Sequence, residues 1–153
     1  MTARTESYLH ANAVALGERG LLLRGPSGVG KSALTLALIA RFAARGAFAR
    51  LVGDDRVRVD SQDGRLVARP HPAIEGLIEI RGLGLARVPF ERACRLDAVV
   101  DISNPGETPP RRPEDAQRSV LLRDVALPRL CVQGCDDVSL ERIVFFLQSI
   151  NAF

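Results

Sequence analysis

Gly25, Pro26, Ser27, Gly28, Val29, Gly30, Lys31 and Ser32 run consecutively and satisfy G-x4-G-K-[ST], the spacing of a phosphate-binding loop. The residue types supply the chemistry. Glycines let successive backbone N–H groups close around phosphate oxygens at the positive end of a helix. Lys31 reaches the outer phosphates of a nucleotide, and the Ser32 hydroxyl is a ligand for Mg²⁺. Lys31 is also the only lysine in a chain whose lysines and arginines total 21. That singular use suggests a need for a compact ammonium on a flexible stem, which a planar guanidinium does not imitate. A glycine turn without a ligand is the competing reading of the same residues.

Phosphoryl transfer needs two further groups, an acid on the magnesium side and a base for the incoming hydroxyl. Asp54 and Asp55 are the first candidates. As neighbours in an extended chain they are expected to point to opposite faces, and they equally suit a turn ahead of a hairpin. Glu79 and Arg81, two residues apart, share one strand face while Ile78 and Ile80 face the core. They stand beside Gly82 and Gly84, where backbone can approach a ligand; a surface ion pair is the alternative.

These groups need elements to hold them. Leu9, Ala11, Ala13 and Ala15 alternate with Tyr8, His10 and Asn12, which predicts a half-buried strand over 7–16. A turn at 17–20 leads to the apolar run Leu21, Leu22, Leu23, suited to a central strand, and the glycine-rich loop follows directly. Good helix formers without Gly or Pro predict a largely buried helix over 31–45, ending near Gly46. An alternating strand at 56–59, the turn signal Ser61-Gln62-Asp63-Gly64 and a return strand at 65–68 read as a hairpin. Further strands are expected over 74–81 and 97–102. Residues 104–113 are a loop by composition, expected to be mobile. Two short strands broken at Pro128 are expected over 118–133, then a closing helix over 138–150 capped by Asp137. With hairpins surrounding a single loop–helix unit and no repeated βαβ crossover, the prediction is an α/β fold with a mixed sheet.

At 153 residues the chain suits one domain over 1–153, long enough to bury roughly 70% of its unfolded surface. A mean hydropathy of +0.06, with no long apolar stretch after a basic segment, points to a cytoplasmic protein without a membrane partner. The net charge of +3 comes from arginines scattered along the chain, and aromatic residues make up only 5%. Neither fits a nucleic-acid surface. Cys94, Cys131 and Cys135 read as reduced thiols; Cys131 and Cys135 lack the second ligand pair of a zinc site.

Taken together, His10 placed fifteen residues before Gly25, the loop GPSGVGKS, LVGDDRV at 51–57 and IEIRGLGLARV at 78–88 resemble the HPr kinase/phosphorylase family, in a short form containing only the catalytic domain. The matches cover most of residues 8–102, and IEIRGLG is the specific part. The resemblance implies a P-loop in a mixed sheet akin to phosphoenolpyruvate carboxykinase. It implies ATP- and Mg²⁺-dependent phosphorylation of a serine on HPr, the small phosphocarrier of the sugar phosphotransferase system. In those terms Asp55 matches the catalytic aspartate that accepts the seryl proton, His10 and Lys31 match active-site residues, and Ser32 and Glu79 match magnesium-side positions, beside Asp54. A downstream arginine is also implied; spacing to Pro113 selects Arg111, with Arg112 as the alternative. Homo-oligomeric assembly, up to a hexamer, is implied too. Ala33 stands where bifunctional members usually carry glutamate. The stretch 132–136, VQGCD, lies near where those members carry a proline-glycine-arginine-asparagine motif tied to dephosphorylation. The forward kinase reaction is therefore the expectation, set against a small-metabolite kinase and a non-catalytic ATP-sensing module.

Overall fold

The computed structural model describes residues 7–150. Two hairpin strands, β1 (Ala11–Leu16) and β2 (Arg19–Arg24), pair antiparallel with Ala11 opposite Arg24 and Leu16 opposite Arg19. The glycine-rich loop carries the chain into α1 (Lys31–Ala44), and β3 (Ala49–Gly53) returns to pair with β1. A hairpin of β4 (Val57–Gln62) and β5 (Arg65–Pro70) follows, then a second of β6 (Leu77–Ile80) and β7 (Gly84–Arg87). The short β8 (Cys94–Arg95) pairs with β5. The chain ends through β9 (Ala98–Ser103), β10 (Ser119–Leu122), β11 (Val125–Gln133) and α2 (Asp137–Ser149).

Six strands form the central sheet in the order β10-β11-β9-β2-β1-β3. β2, β9 and β11 run parallel to one another, whereas β1 and β10 are antiparallel to their neighbours, so the sheet is mixed as expected. Each face carries its own core. Leu34 and Leu38 of α1 and Leu140, Ile143 and Leu147 of α2 cover one face through Val14, Leu21, Leu23, Val100 and Val132. On the other face Val57, Val59, Leu66 and Ala68 of the β4–β5 hairpin pack on Ala11, Ala13, Leu22 and Val99. This two-sided cover corrects the half-buried reading of the first strand. All six residues of β1 are buried, because its small alanines meet the β4–β5 hairpin while Val14 and Leu16 meet the helices.

Two other expectations shift. Pro128 does not break a strand. It lies inside the nine-residue β11, opposite Ser119, where β11 changes partner from β10 to β9, and the chain reversal falls at Arg123 and Asp124, both with positive φ. The cap of α2 is Asp136 rather than Asp137; its carboxylate accepts from the Ser139 N–H at 2.8 Å. That backbone bond also holds the Asp136 carboxyl below its usual pKa. Among the described residues no helix is long and apolar enough to cross a membrane.

Gly20 pairs with Ala15 at the start of the central strand, where an added Cβ would lie 1.8 Å from the Arg95 carbonyl oxygen. Gly20→Ala is expected to destabilise the fold by about 1–3 kcal/mol through overpacking against backbone. Gly106→Ala, whose added methyl meets nothing within 4 Å, should stay within about 0.5 kcal/mol of the parent. Urea unfolding of the two variants side by side checks this, and equal midpoints would contradict the packing assigned to Gly20.

Candidate active site

One end of the central sheet gathers the glycine-rich loop, His10, Asp54 and Asp55. β2 and β3 run parallel to each other, since both are antiparallel to β1. Their C-terminal ends therefore deliver the glycine-rich loop and Asp54 to the same end where His10 enters β1. Strand ends of this kind are where open α/β sheets bind ligands. Gly30 is the N-cap of α1 with φ of 101°, and no side chain caps the helix, whose first turn carries no acid. The leading N–H groups are thus left to an external anion. Lys31 is buried, 6% exposed, and folds back so that its Nζ donates to the Gly25 carbonyl at 2.9 Å.

The underside of the loop is held by a residue that sequence reading did not place there. The Cys135 thiol lies 3.0 Å from the Val29 carbonyl oxygen and 3.1 Å from that of Gly30. An added Cβ at Gly30 would lie 2.8 Å from the sulfur. Burial, reinforced by Asp136 and opposed by Lys31, pushes the thiol above its ordinary pKa, so it stays protonated and can donate. In a trans peptide the N–H points opposite the C=O. Holding these two carbonyls under the loop therefore turns the Gly30 and Lys31 N–H groups the other way.

Asp54, 6% exposed, collects three donors. Its Oδ1 accepts from the Ser32 hydroxyl at 2.6 Å and from the Asn12 amide at 2.8 Å, and its Oδ2 from the Glu79 N–H at 3.0 Å. Asp55 adopts φ of 65°. β3 has ended at Gly53, so strand alternation no longer governs this left-handed residue; Asp54 bonds to Ser32 of the loop directly, and the Asp55 carboxylate meets the loop only through His10. Asp55 Oδ1 lies 3.0 Å from His10 Nδ1, and His10 Nε2 lies 2.9 Å from the Ser27 hydroxyl. With its proton on Nδ1 the neutral ring donates to Asp55 and accepts from Ser27. Both His10 and Asp55 are about half exposed, accessible to an incoming group.

Asn12 is the other residue that sequence reading left without a role. It is fully buried, and its carboxamide also accepts from the Asp55 N–H at 2.8 Å. The available signal was a polar side chain on a strand otherwise built of Ala, Val and Leu.

Glu79 reaches the site through its backbone, and its side chain is exposed on β6. Leu85 stands directly across from it on β7, so the two side chains share a face. Leu85 is 67% exposed and Leu83, in the connecting turn, 72%. Arg81 lies beyond the end of β6 in that turn, off the strand face expected for it. Arg111 is not hydrogen-bonded to the loop or to either aspartate among the described residues; it lines a cleft of about 570 Å³ with Arg129, Cys131, Gln133 and Arg142. Beside that cleft Asp101 accepts from Arg24, at 2.7 and 2.9 Å, and from Arg129. Burial alone would raise the pKa of Asp101, but the two guanidiniums outweigh it and hold the carboxyl below its ordinary value.

The donor set suits a small hard cation shared with a nucleotide. No group of three or more His, Cys, Asp or Glu side chains forms a self-sufficient metal site among the described residues. A serine hydroxyl on a buried carboxylate at a helix head is instead the partial shell that Mg²⁺ completes with phosphate oxygens and water.

Residues 2–91 match the model of the family described as the HPr Serine kinase C-terminal domain. The chain is 37% identical to the HPr kinase/phosphorylase of Clostridium tetani over 101 residues, 66% of this chain and 30% of that protein. It is 40% identical to that of Clostridium beijerinckii over 83 residues, 54% of this chain and 26% of that protein. The chain thus spans less than a third of the length of these curated relatives. The solved HPr(Ser) kinase/phosphatase from Coxiella burnetii superposes with a TM-score of 0.78 at 22% identity, covering 95% of this chain and 97% of that one. That likeness speaks to the fold: a mixed α/β sheet with a C-terminal helix.

Proposed function

The chain belongs to the HPr serine kinase C-terminal domain family, and from that premise we propose that it is an ATP-dependent protein kinase that phosphorylates a serine of HPr. It works as a single P-loop kinase domain in the cytoplasm, within a homo-oligomer, on a fold akin to phosphoenolpyruvate carboxykinase. The observation that carries the reading is the pairing of two arrangements on one loop. Ser32 and Asp54, hydrogen-bonded at 2.6 Å, stand at the helix head, and the His10–Asp55 pair reaches Ser27 at its near side.

In this reading the residues from Gly25 to Ser32 bind the phosphates of ATP through their N–H groups, and Lys31 swings from the Gly25 carbonyl onto the outer phosphates. Ser32, Asp54 and Glu79 would hold Mg²⁺, which supplies charge neutralisation at those phosphates. Asp55, with His10 beside it, takes the proton of the acceptor serine. The seryl oxygen then forms its bond to the terminal phosphorus as the bond from that phosphorus to the bridging oxygen of ADP breaks. Arg111 is assigned to the transition-state charge and closes onto it from its cleft. Leu83 and Leu85, exposed beside Glu79, favour a protein acceptor over a small metabolite, since exposed leucines in a patch at a site mark a surface to be covered. Ala33, exposed on the first turn of α1, leaves no carboxylate there for the reverse reaction, which stays outside the proposal.

Purified protein, ATP, Mg²⁺ and the cognate HPr, followed by mass spectrometry with and without inorganic phosphate, test the proposal. Phosphoserine on HPr that inorganic phosphate does not remove is the expected result. Nucleotide turnover stimulated only by a metabolite would overturn it in favour of the small-molecule kinase. Tight ATP binding with no transfer would overturn it in favour of the sensing module.

A further inference from the structure

We propose that Asn12 is a positioning residue for phosphoryl transfer, a single buried carboxamide that sets the orientation of both site aspartates against the glycine-rich loop; this rests on the kinase reading above. Asn12, the second residue of β1, lies opposite Leu23, wholly shielded from solvent. Its Nδ2 donates to Asp54 Oδ1 at 2.8 Å and to Thr35 Oγ1 at 3.1 Å, and its Oδ1 accepts from the Asp55 N–H at 2.8 Å. Thr35 in turn donates to the Lys31 carbonyl at 2.7 Å. Every partner of the carboxamide therefore belongs to the site or lies one hydrogen bond from it.

A buried amide is costly to place unless it is hydrogen-bonded, and an apolar side chain of the same volume would pack at this position without that cost. What the amide supplies is opposite polarity at its two ends. The NH₂ end fixes the rotation of the Asp54 carboxylate that also takes the Ser32 hydroxyl. The oxygen end anchors the N–H of Asp55, whose positive φ is the turn that directs its carboxylate toward His10. Neither leucine nor an ionised aspartate can do both, because leucine lacks hydrogen-bonding groups and a carboxylate has no donor.

Three substitutions test this. Asn12→Leu and the isosteric Asn12→Asp are expected to lower kcat by about 100-fold, the loss that follows a misplacement of roughly 1 Å. KM for ATP should stay within about threefold, since the loop and Lys31 are untouched, while half-saturating Mg²⁺ rises about tenfold, as for other supports of a metal ligand. Asn12→Ser, whose hydroxyl both donates and accepts, should recover part of the kcat. Independently of turnover, amide hydrogen exchange at Asp55 should lose its protection in the Leu variant, measured on the nucleotide-free protein. A kcat for Asn12→Leu within threefold of wild type would overturn the assignment. So would a loss confined to KM for ATP with Asp55 protection unchanged, which would mark a merely structural residue. If the Leu and Asp variants do not fold, the serine variant decides by the same two measurements. Absence of transfer by the wild-type protein would refute the kinase reading alone, because Asp55 protection and the Mg²⁺ dependence of nucleotide binding, by calorimetry, still report on Asn12.

Discussion

Replacing Asp55 with asparagine is expected to cut phosphoserine formation by about 10²–10⁴-fold, the range lost when a positioned general base is removed. The substitution is nearly isosteric, and asparagine tolerates a left-handed backbone such as the φ of 65° at this position. Its amide oxygen can still accept from His10 Nδ1. Asp55 is about half exposed, so unfolding free energy should change by no more than about 0.5 kcal/mol. The variant thus separates proton acceptance from architecture. Single-turnover transfer from ATP to HPr, read alongside a thermal melt and the calorimetric affinity for ATP, is the measurement. Expected are an unchanged melt, unchanged ATP affinity and a collapsed rate; a variant that transfers at the parental rate would remove Asp55 from the mechanism.

Lys31→Met should be nearly as damaging and different in kind. Here both nucleotide affinity and rate fall, with kcat down by about 10²–10³-fold, as when one preorganised electrostatic contact to developing charge is lost. Lys31 is buried and its ammonium spends its donors on the Gly25 and Pro26 carbonyls. Methionine fills the same volume without a charge, so the loop keeps its packing and loses its reach. Lys31→Arg is the sharper comparison. Apart from its two histidines the chain uses arginine for every other basic side chain, yet a guanidinium here should not restore more than about a tenth of the rate, because a planar fork cannot take the place of a compact point charge. Full activity in the arginine variant would mean that the single lysine is an accident of composition.

Much of this site could be read from local sequence because its parts are local. The strand–loop–helix around residues 21–45 and the hairpin expected from strands at 56–59 and 65–68 each announce themselves through spacing and turn chemistry, and both form at those places. What escaped depends on partners remote in the chain. Nothing near Asn12 signals that Thr35, Asp54 and Asp55 will meet it, since those bonds exist only once β1, α1 and β3 are assembled. Cys135 belongs to a stretch noticed for the family motif it lacks, and its contact with Val29 and Gly30 spans more than a hundred residues. The two-sided burial of β1 was hidden for a related reason: alanine reads as a weak signal for either face. Proline at 128 misled because rules for proline describe uninterrupted ladders, and β11 changes partners at that residue.

The central position of β2 has a consequence for how the molecule comes into being. Its companion β9 begins after residue 97, and the bonds that join them, such as Arg24 to Asp101, connect groups 77 positions apart. Closing so long a loop is an entropic barrier that must be crossed before the contacts that reward it exist. On a ribosome, the segment that matches the family, ending at residue 91, emerges complete while the strand leading into its glycine-rich loop still lacks a neighbour on one side. The remaining two fifths of the chain supplies that neighbour. The order of synthesis thus leaves the glycine-rich loop among the last parts of this fold to become rigid.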